Sequence, residues 1–361
     1  MNLADLHDRA QLDRALAATF GLFTSLDFSS DGARIFVGAG CRVYAVDTAT
    51  GQLRAQALLA DPTETGFDPC HHELRVARVQ DARDDSCCVS VFFDPSPGNR
   101  GTGLCHLFEP DLGQMIVPHG RDASFPVLAP DEIDTIASVY ATAVAEVGHR
   151  IAVADLDSDV RGRIAIFHAR TGELLHTHPG FQDGVWALDL DPVGHHLAVM
   201  EVAQIIDLYR VETGEQVAQV RIDGPGRVSS FRLGRADQLL VATIDPPQLL
   251  EIDLAASPPT VERRIDLPAG VRPQCLQRSG WSVWAPTEAI DLSFYGDDGR
   301  RVADATRELV LAHPRHGARA HPAVPTDRRR GPIAISPDGT VLASTVGHEV
   351  VIERIAASVS P

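Results

Sequence analysis

The chain has 361 residues, with 49 Asp and Glu against 32 Lys and Arg, which gives a formal net charge of −17 at pH 7. This acidity argues against a nucleic-acid-binding surface, because neutralising phosphates needs clustered Lys and Arg. No apolar run approaches the roughly 18 residues that cross a bilayer, and the start, MNLADLHDRAQLDRAL, lacks the apolar core of a signal peptide. The six cysteines form no CxxC pair, so we expect reduced thiols and a cytoplasmic monomer.

One phrase recurs along the chain: an alternating strand, a short Asp/Gly turn, an apolar strand, a loop, a third strand, a Thr-Gly turn and a fourth strand. Two clear copies read TSLDFSSDGARIFVGAG…YAVDTATGQLRAQAL and VWALDLDPVGHHLAVMEV…IDLYRVETGEQVAQVRI. The first turns of seven copies lie at Gly32, Asp85, Gly148, Gly194, Asp237, Gly280 and Gly339. A period of roughly 40–50 residues with four short strands per copy is typical of a β-propeller.

The two ends of the chain complete each other. The last copy, IAISPDGTVLASTVGHEVVIERI, supplies only three strands, and QLDRALAAT at residues 11–19 stands where a fourth strand would precede the first copy. We therefore expect an N-terminal extension, residues 1–10, and one all-β domain over residues 11–361. That domain is a seven-bladed propeller of four-stranded antiparallel blades, whose last blade is closed by the N-terminal strand so that no edge stays exposed.

The motifs DFSSDG, SPDG, TGQL, TGEL and TGEQ resemble those of WD-repeat and YVTN-type seven-bladed propellers, over about residues 11–355. The resemblance implies a rigid ring that serves as an interaction platform. No copy ends its third strand in Trp-Asp, because Val46-Asp47, Phe167-His168 and Leu208-Tyr209 stand there, and no Gly-His opens a blade. The polar network of true WD repeats is therefore expected to be largely absent.

Thr24 begins the first strand of the first copy, on the face that a propeller of this kind presents around its channel. Its counterparts in the other copies are Arg75, Tyr140, Trp186, Ser229, Arg272 and Gly331. Arginine and aromatic side chains carry most of the hot-spot energy of interfaces. Arg75, Tyr140, Trp186 and Arg272 are therefore a candidate rim for a protein partner or a small anionic or aromatic ligand. The alternative is that the two aromatic residues only pack between blades.

An enzyme with its active site at the channel mouth is the alternative function. Its candidate acid–base groups are His71, Asp155, Glu201, Glu288 and His348, and Arg75 or Arg272 would orient an anionic substrate. No GxSxG, SxxK, GxGxxG or Walker motif supports catalysis, although sites assembled from several blades leave no local motif.

Two segments have the composition of metal ligands. In Cys70-His71-His72-Glu73, neighbours on a strand point to opposite faces, so no more than two of these side chains could share one ion. The segment ADLDSDVRG lacks the glycine and the closing glutamate of a helix-flanked calcium loop. We therefore expect neither a metal ion nor a cofactor.

The sixth copy is read as RPQCLQRSGWSVWAPTEAIDLSFYGDDGRRVADA, residues 272–305. After it comes HPRHGARAHPAVPTDRRRG, residues 313–331, which is basic and Pro-rich in an acidic chain. We assign residues 313–331 to a loop between blades 6 and 7, on the same face as the rim. Its side chains, Arg328 among them, are candidates to engage an acidic or phosphate-bearing partner, and a solvated linker is the alternative.

Overall fold

A computed structural model describes residues 23–29, 31–39, 42–58, 73–76, 87–92, 106–108, 115–116, 141–145, 150–156, 162–168, 173–181, 185–201, 204–224, 226–234, 237–286, 308–322, 330–346 and 349–355. Within these ranges every regular element is a β-strand, as the repeat predicts. None of the described residues forms a helix long and apolar enough to cross a bilayer.

The described strands form seven antiparallel sheets, numbered here in chain order. Sheet 1 contains β1 (Phe23–Phe28), β2 (Arg34–Ala39), β3 (Arg42–Asp47) and β4 (Leu53–Leu58). Sheet 2 contains β5 (Glu73–Val76), β6 (Cys87–Phe92), β7 (His106–Phe108) and β8 (Met115–Ile116). Sheet 3 contains β9 (Ala141–Val144), β10 (Arg150–Leu156), β11 (Gly162–His168) and β12 (Leu174–Phe181).

The remaining sheets follow the same order. Sheet 4 contains β13 (Ala187–Leu190), β14 (His196–Met200), β15 (Ile205–Arg210) and β16 (Gln216–Arg221). Sheet 5 contains β17 (Arg227–Leu233), β18 (Gln238–Ile244), β19 (Gln248–Asp253) and β20 (Thr260–Asp266). Sheet 6 contains β21 (Val271–Leu276), β22 (Ser282–Pro286), β23 (Leu309–His313) and β24 (Gly317–His321). Sheet 7 contains β25 (Arg330–Ile335), β26 (Val341–Val346) and β27 (Glu349–Arg354).

The first strands of the sheets pack beside one another. β1 contacts β25 and β5, β13 contacts β9 and β17, and β21 contacts β17 and β25. Consecutive strands within a sheet pair with each other, so the strand order in each sheet follows the chain from its first strand to its last described strand. This is the arrangement of a β-propeller, and the predicted all-β class is confirmed. The blade count and the closure of the ring stay predictions.

The hydrophobic core lies between successive sheets. Ile164 of sheet 3 shares a buried cluster with Leu197 of sheet 4, and Leu240 of sheet 5 shares another with Trp284 of sheet 6. β18 and β23 are covered on both sides, and the burial of their residues is nearly continuous. A strand buried on both faces reads as an apolar run rather than an alternation.

The sequence motif shared by the first and the last copy of the repeat forms the same turn in both places. Ser29 Oγ donates to Asp31 Oδ1 at 2.5 Å and accepts from the main-chain N–H of Arg34 at 2.9 Å. Ser336 Oγ likewise donates to Asp338 Oδ1 at 2.6 Å and accepts from the main-chain N–H of Val341 at 2.9 Å. The Ser-x-Asp-Gly pattern therefore encodes a hydrogen-bonded hairpin turn in sheets 1 and 7.

The backbone angles confirm the predicted first turns at the positions that the structure describes. Positive φ angles occur at Gly32, Gly194, Asp237, Gly280 and Gly339, with values of +70°, +76°, +56°, +101° and +73°. Glycine adopts this region at no steric cost, and aspartate tolerates it better than most residues. Asp85 and Gly148, the other two turn positions, lie outside the described residues.

Sheet 7 has the three strands that the last copy predicts. Residues 1–22, which include the expected closing strand at 11–19, lie outside the described part of the chain. The closure of this sheet by the N-terminal segment therefore stays a prediction.

The structure corrects the assignment of sheet 6. Its third and fourth strands are β23 and β24, since Trp284 of β22 pairs with Val310 of β23. The sixth copy as predicted, residues 272–305, ends before these two strands, and its residues 287–305 lie outside the described part. The basic segment 313–331 is therefore not one loop, because it begins inside a hairpin that turns at Gly317, φ +74°. The apolar run Leu309–His313 is the buried strand that the repeat pattern missed.

Two glycines at similar backbone angles differ in what surrounds them. A Cβ at Gly339 would lie 2.2 Å from Cε2 of Trp281, whereas nothing lies within 4 Å of a Cβ at Gly51. Gly51→Ala should lower the free energy of unfolding by about 1–2 kcal/mol, because alanine is strained in the left-handed conformation. Gly339→Ala should lower the free energy of unfolding by about 1–3 kcal/mol more than Gly51→Ala, because the indole of Trp281 must move. Urea unfolding of both variants checks this difference, and equal losses would contradict the packing of Trp281 on Gly339.

Candidate functional site

The main-chain hydrogen bonds of the first hairpins define equivalent positions in different sheets. In each, the residue after the first strand donates its N–H across the turn at 2.8–3.0 Å; these donors are Ser29, Ala145, Asp191, Gly234, Gln277 and Ser336. Five residues before these donors stand Thr24, Tyr140, Trp186, Ser229, Arg272 and Gly331. Trp186, Ser229 and Arg272 therefore occupy the same place at the start of their sheets.

Trp186 and Arg272 both face solvent. The main-chain N–H of Trp186 donates to the carbonyl of Met200 at 2.8 Å, while 71% of the residue is exposed. Arg272 pairs with Ala285 across β21 and β22 and is also exposed. An indole this exposed is not packed between sheets, so the alternative in which Trp186 only fills a gap does not hold.

The other predicted site residues are placed only in part. Arg75 pairs with Ser90 in sheet 2, and Asp155 pairs with Arg163 in sheet 3, but their side chains are not described. Five candidates lie outside the described residues: His71, Tyr140, Glu288, Arg328 and His348. The complete rim therefore stays a prediction.

A buried carboxylate links three sheets where the first strands converge. Asp189 of β13 is 2% exposed. It accepts from the main-chain N–H of Leu233 at 2.8 Å, and Arg278 Nη2 lies 2.8 Å from its Oδ1. Arg232 Nη1 lies 3.7 Å from the same oxygen. Because Arg278 follows β21, this contact reaches from sheet 4 to sheet 6 past sheet 5.

A second polar group makes a similar crossing. Gln277 Nε2, in sheet 6, donates to Asp27 Oδ1, in sheet 1, at 3.0 Å, and its distance to Cys275 Sγ is 3.5 Å. Burial raises the pKa of the Asp27 carboxyl above its usual value, although Gln277 and the charge of Arg232 oppose the rise. Burial likewise raises the pKa of the Cys275 thiol to about 12. Gln277 therefore contacts both Asp27 and Cys275, which links sheet 1 to sheet 6.

A polar cavity of about 250 Å³ lies between sheets 3 and 4. Its lining includes His176 and His178 of β12, Tyr209 of β15, Gly214 of the following turn, and Glu201. Glu201, predicted at the channel mouth, is thus placed in this inter-sheet cavity. Burial lowers the pKa of His178 to about 4, so its imidazole is neutral at pH 7.

A larger cavity of about 500 Å³ lies between sheets 4 and 5. Leu208, Val217 and Leu233 contribute apolar walls, and Asp191 and Asp237 are among its polar residues. Across the described ranges, no three His, Cys, Asp or Glu side chains are grouped so as to hold a metal ion.

Some basic side chains of the β23–β24 hairpin in sheet 6 lie close to carboxylates of the protein itself. Arg315 Nη2 lies 3.6 Å from Oε1 of Glu251, a residue 1% exposed, and His321 Nε2 lies 3.3 Å from Glu353 Oε2. The ring of His316 stacks on Trp281 at 5.7 Å, and Arg319 Cζ lies 5.7 Å from the same indole. These side chains belong to the turn and the fourth strand of sheet 6, not to a loop that joins two sheets.

The sequence carried signals for two features that were not predicted. Asp27 and Asp189 stand two residues before their hairpin donors, in LDFSSDG and LDLDPVG, so the repeat itself aligns them. His176 and His178 stand two apart in LLHTHPG on a fourth strand, a spacing that puts both side chains on one face.

No protein-family model matches this sequence, and no curated protein matches it. A chain of the mitotic checkpoint complex is similar in structure, with a TM-score of 0.55 and 15% identity over 93% of this chain and 87% of that chain. Raptor of Chaetomium thermophilum is also similar, with a TM-score of 0.61 and 12% identity over 92% of this chain and 28% of that chain. This protein therefore spans little more than a quarter of that Raptor chain. At these identities the likenesses show the fold alone, which agrees with the propeller arrangement of the described sheets.

Cys275 provides a chemical test of the packed centre. Only the thiolate is alkylated, and a pKa near 12 leaves almost none of it between pH 7 and pH 9. Alkylation of Cys275 by iodoacetamide at pH 8.5, followed by peptide mass mapping, should be at least about a hundredfold slower in the native protein than in urea. A native rate within tenfold of the unfolded one would show that the pKa of this half-buried thiol is not raised.

Proposed function

We propose that the protein is a binding scaffold whose rim, at the start of the first strands, docks a protein partner. The observation that supports this most strongly is Trp186, whose main-chain N–H is hydrogen-bonded while 71% of the residue stays exposed. Large aromatic side chains on rigid elements are the commonest anchors of protein interfaces. A sheet in which Leu188 and Leu190 are buried exposes this indole at its edge.

Arg272 suggests the chemistry of the partner. Its guanidinium is exposed at the position equivalent to Trp186, two sheets away, and such a group binds a carboxylate in bidentate fashion. A partner segment with an apolar or aromatic anchor and an acidic residue fits this pair. One of the similar structures is that of a protein complex, which supports a protein partner over a free small ligand. The net charge of −17 supports a monomer that does not bind nucleic acid, and we keep the cytoplasm as its compartment.

The alternative enzyme gains no support from the described residues. Of its candidate acid–base groups, Glu201 has a described side chain, and that side chain lines the cavity between sheets 3 and 4. The described carboxylate with a raised pKa, Asp27, is bonded to Gln277 at the centre of the ring. We therefore put the binding scaffold first.

A double substitution tests the rim. Trp186→Ala with Arg272→Ala should weaken partner capture by roughly thirtyfold or more, since a single hot spot contributes about 2 kcal/mol. The melting temperature should change little, because both side chains are exposed. Affinity capture with quantitative mass spectrometry, run beside a thermal melt, measures both effects.

The matched control is Val261→Ala with Arg264→Ala. These residues are an exposed apolar side chain and an exposed arginine on β20, the fourth strand of sheet 5. The control should recover the same partners as the unaltered protein. Equal recovery of partners by the rim variant would show that the rim is not the docking surface.

A further inference from the structure

The cavity between sheets 4 and 5 lies at the end of the first strands opposite the rim. Asp191 and Val193, of its lining, belong to the turn after β13, and Asp237 belongs to the turn after β17. Trp186, in contrast, stands just before β13. An extended strand separates its start from the turn that follows it, so this cavity and the rim are separate surfaces.

The cavity has the size and the lining of a small-molecule site. Its volume of about 500 Å³ falls within the range of roughly 300–1,000 Å³ that such sites have, and they too combine apolar walls with a few polar groups. Leu208 and Leu233 are buried residues of the lining. Val193 and Val217 also line it, and they are 44% and 40% exposed, so a ligand with an apolar body would cover apolar surface that water now contacts.

The charged groups of this lining favour a cation. Asp191 Oδ1 accepts from the main-chain N–H of His195 at 2.7 Å, and His196 Nδ1 lies 3.4 Å from Asp191 Oδ2. Asp237 is an exposed carboxylate of the same lining. None of the described residues that line the cavity is a lysine or an arginine. Two carboxylates beside apolar walls select a positively charged group over a negatively charged one.

We propose that the cavity between sheets 4 and 5 binds a small organic cation, an amine with an apolar body. The apolar body lies against Leu208, Leu233 and Val217, and the ammonium group lies toward the carboxylates of Asp191 and Asp237. Burial of the apolar body supplies most of the affinity. The carboxylates supply the selectivity, because water screens charges at a partly exposed site and limits what they add to the affinity.

Three compounds with one apolar body test the site by calorimetric titration of the full chain. Phenylbutylamine, phenylbutanol and phenylbutyrate carry an ammonium, a hydroxyl and a carboxylate group at pH 8, where an ordinary imidazole carries no charge. The amine should bind one saturable site with a Kd of about 1 mM or below. It should bind at least about tenfold more tightly than the alcohol, and the carboxylate should bind more weakly than either.

Nuclear magnetic resonance locates the bound amine. The methyl signals of Val193 and Val217 should shift during the titration, because both side chains line the cavity. The indole N–H signal of Trp186 should not shift, because Trp186 belongs to the rim. The rim variant, Trp186→Ala with Arg272→Ala, should bind the amine as tightly as the unaltered chain.

Asp191→Asn with Asp237→Asn removes both charges from the lining. Asparagine keeps an acceptor for the N–H of His195 and tolerates the φ of +56° at position 237, so the fold should be retained. In this variant the amine and the alcohol should bind to within about threefold of each other. The matched control, Asp223→Asn with Asp245→Asn, changes the net charge equally at two exposed positions at the rim end of sheets 4 and 5, and should keep the preference for the amine.

The proposal is overturned if the amine binds no more tightly than the alcohol in the unaltered chain, or if the control loses the preference equally. Absence of saturable binding, or of a shift at Val193 and Val217, overturns it too. If the variant at Asp191 and Asp237 misfolds, the three compounds and the shifts in the unaltered chain still decide. None of these results bears on docking at the rim.

Discussion

The charged contact between Asp189 and Arg278 is the interaction on which the arrangement of the sheets most depends. It joins a carboxylate that is 2% exposed to a guanidinium two sheets farther along the chain, at 2.8 Å. Breaking a buried pair by removing one partner costs about 3–5 kcal/mol, because the other charge stays desolvated. The main-chain N–H of Leu233, in sheet 5, donates to the same carboxylate. Asp189 therefore fixes the positions of the first strands of sheets 4, 5 and 6 relative to one another.

This convergence explains where the surface features lie. Trp186 and Arg272 each stand five residues before the hairpin donor that follows the first strand of sheet 4 and of sheet 6. Because these first strands are held together by the buried contacts, the two exposed side chains are attached to a rigid backbone. Two cavities lie between neighbouring sheets, one between sheets 3 and 4 and one between sheets 4 and 5. β12, the fourth strand of sheet 3, leaves a cavity against sheet 4. The same arrangement of sheets therefore accounts for both the exposed residues at the start of the first strands and the cavities between sheets.

The sequence predicted the repeating unit well because the repeat is local. Turns at Gly32, Gly194 and Gly339 follow from residues that tolerate positive φ, and alternating strands follow from their patterning. The pattern failed in sheet 6, where β23 is buried on both faces and the chain from β22 to β23 is long. The contacts Asp189–Arg278 and Asp27–Gln277 and the cavity lined by His176 and His178 depend on how the sheets pack against one another. The spacing of residues therefore indicated that His176 and His178 share a face, but not which residues of other sheets lie near them.

The unfolding free energy of a double-mutant cycle on Asp189 and Arg278 tests the central claim most directly. The variants are Asp189→Asn, Arg278→Gln and the combination of both, compared by urea unfolding. If the two side chains meet at the centre of the ring, the double variant should lose less than the sum of the single losses, by about 1–3 kcal/mol. Losses that add to within about 0.5 kcal/mol would show that sheets 4 and 6 do not meet there, and would contradict the convergence described above.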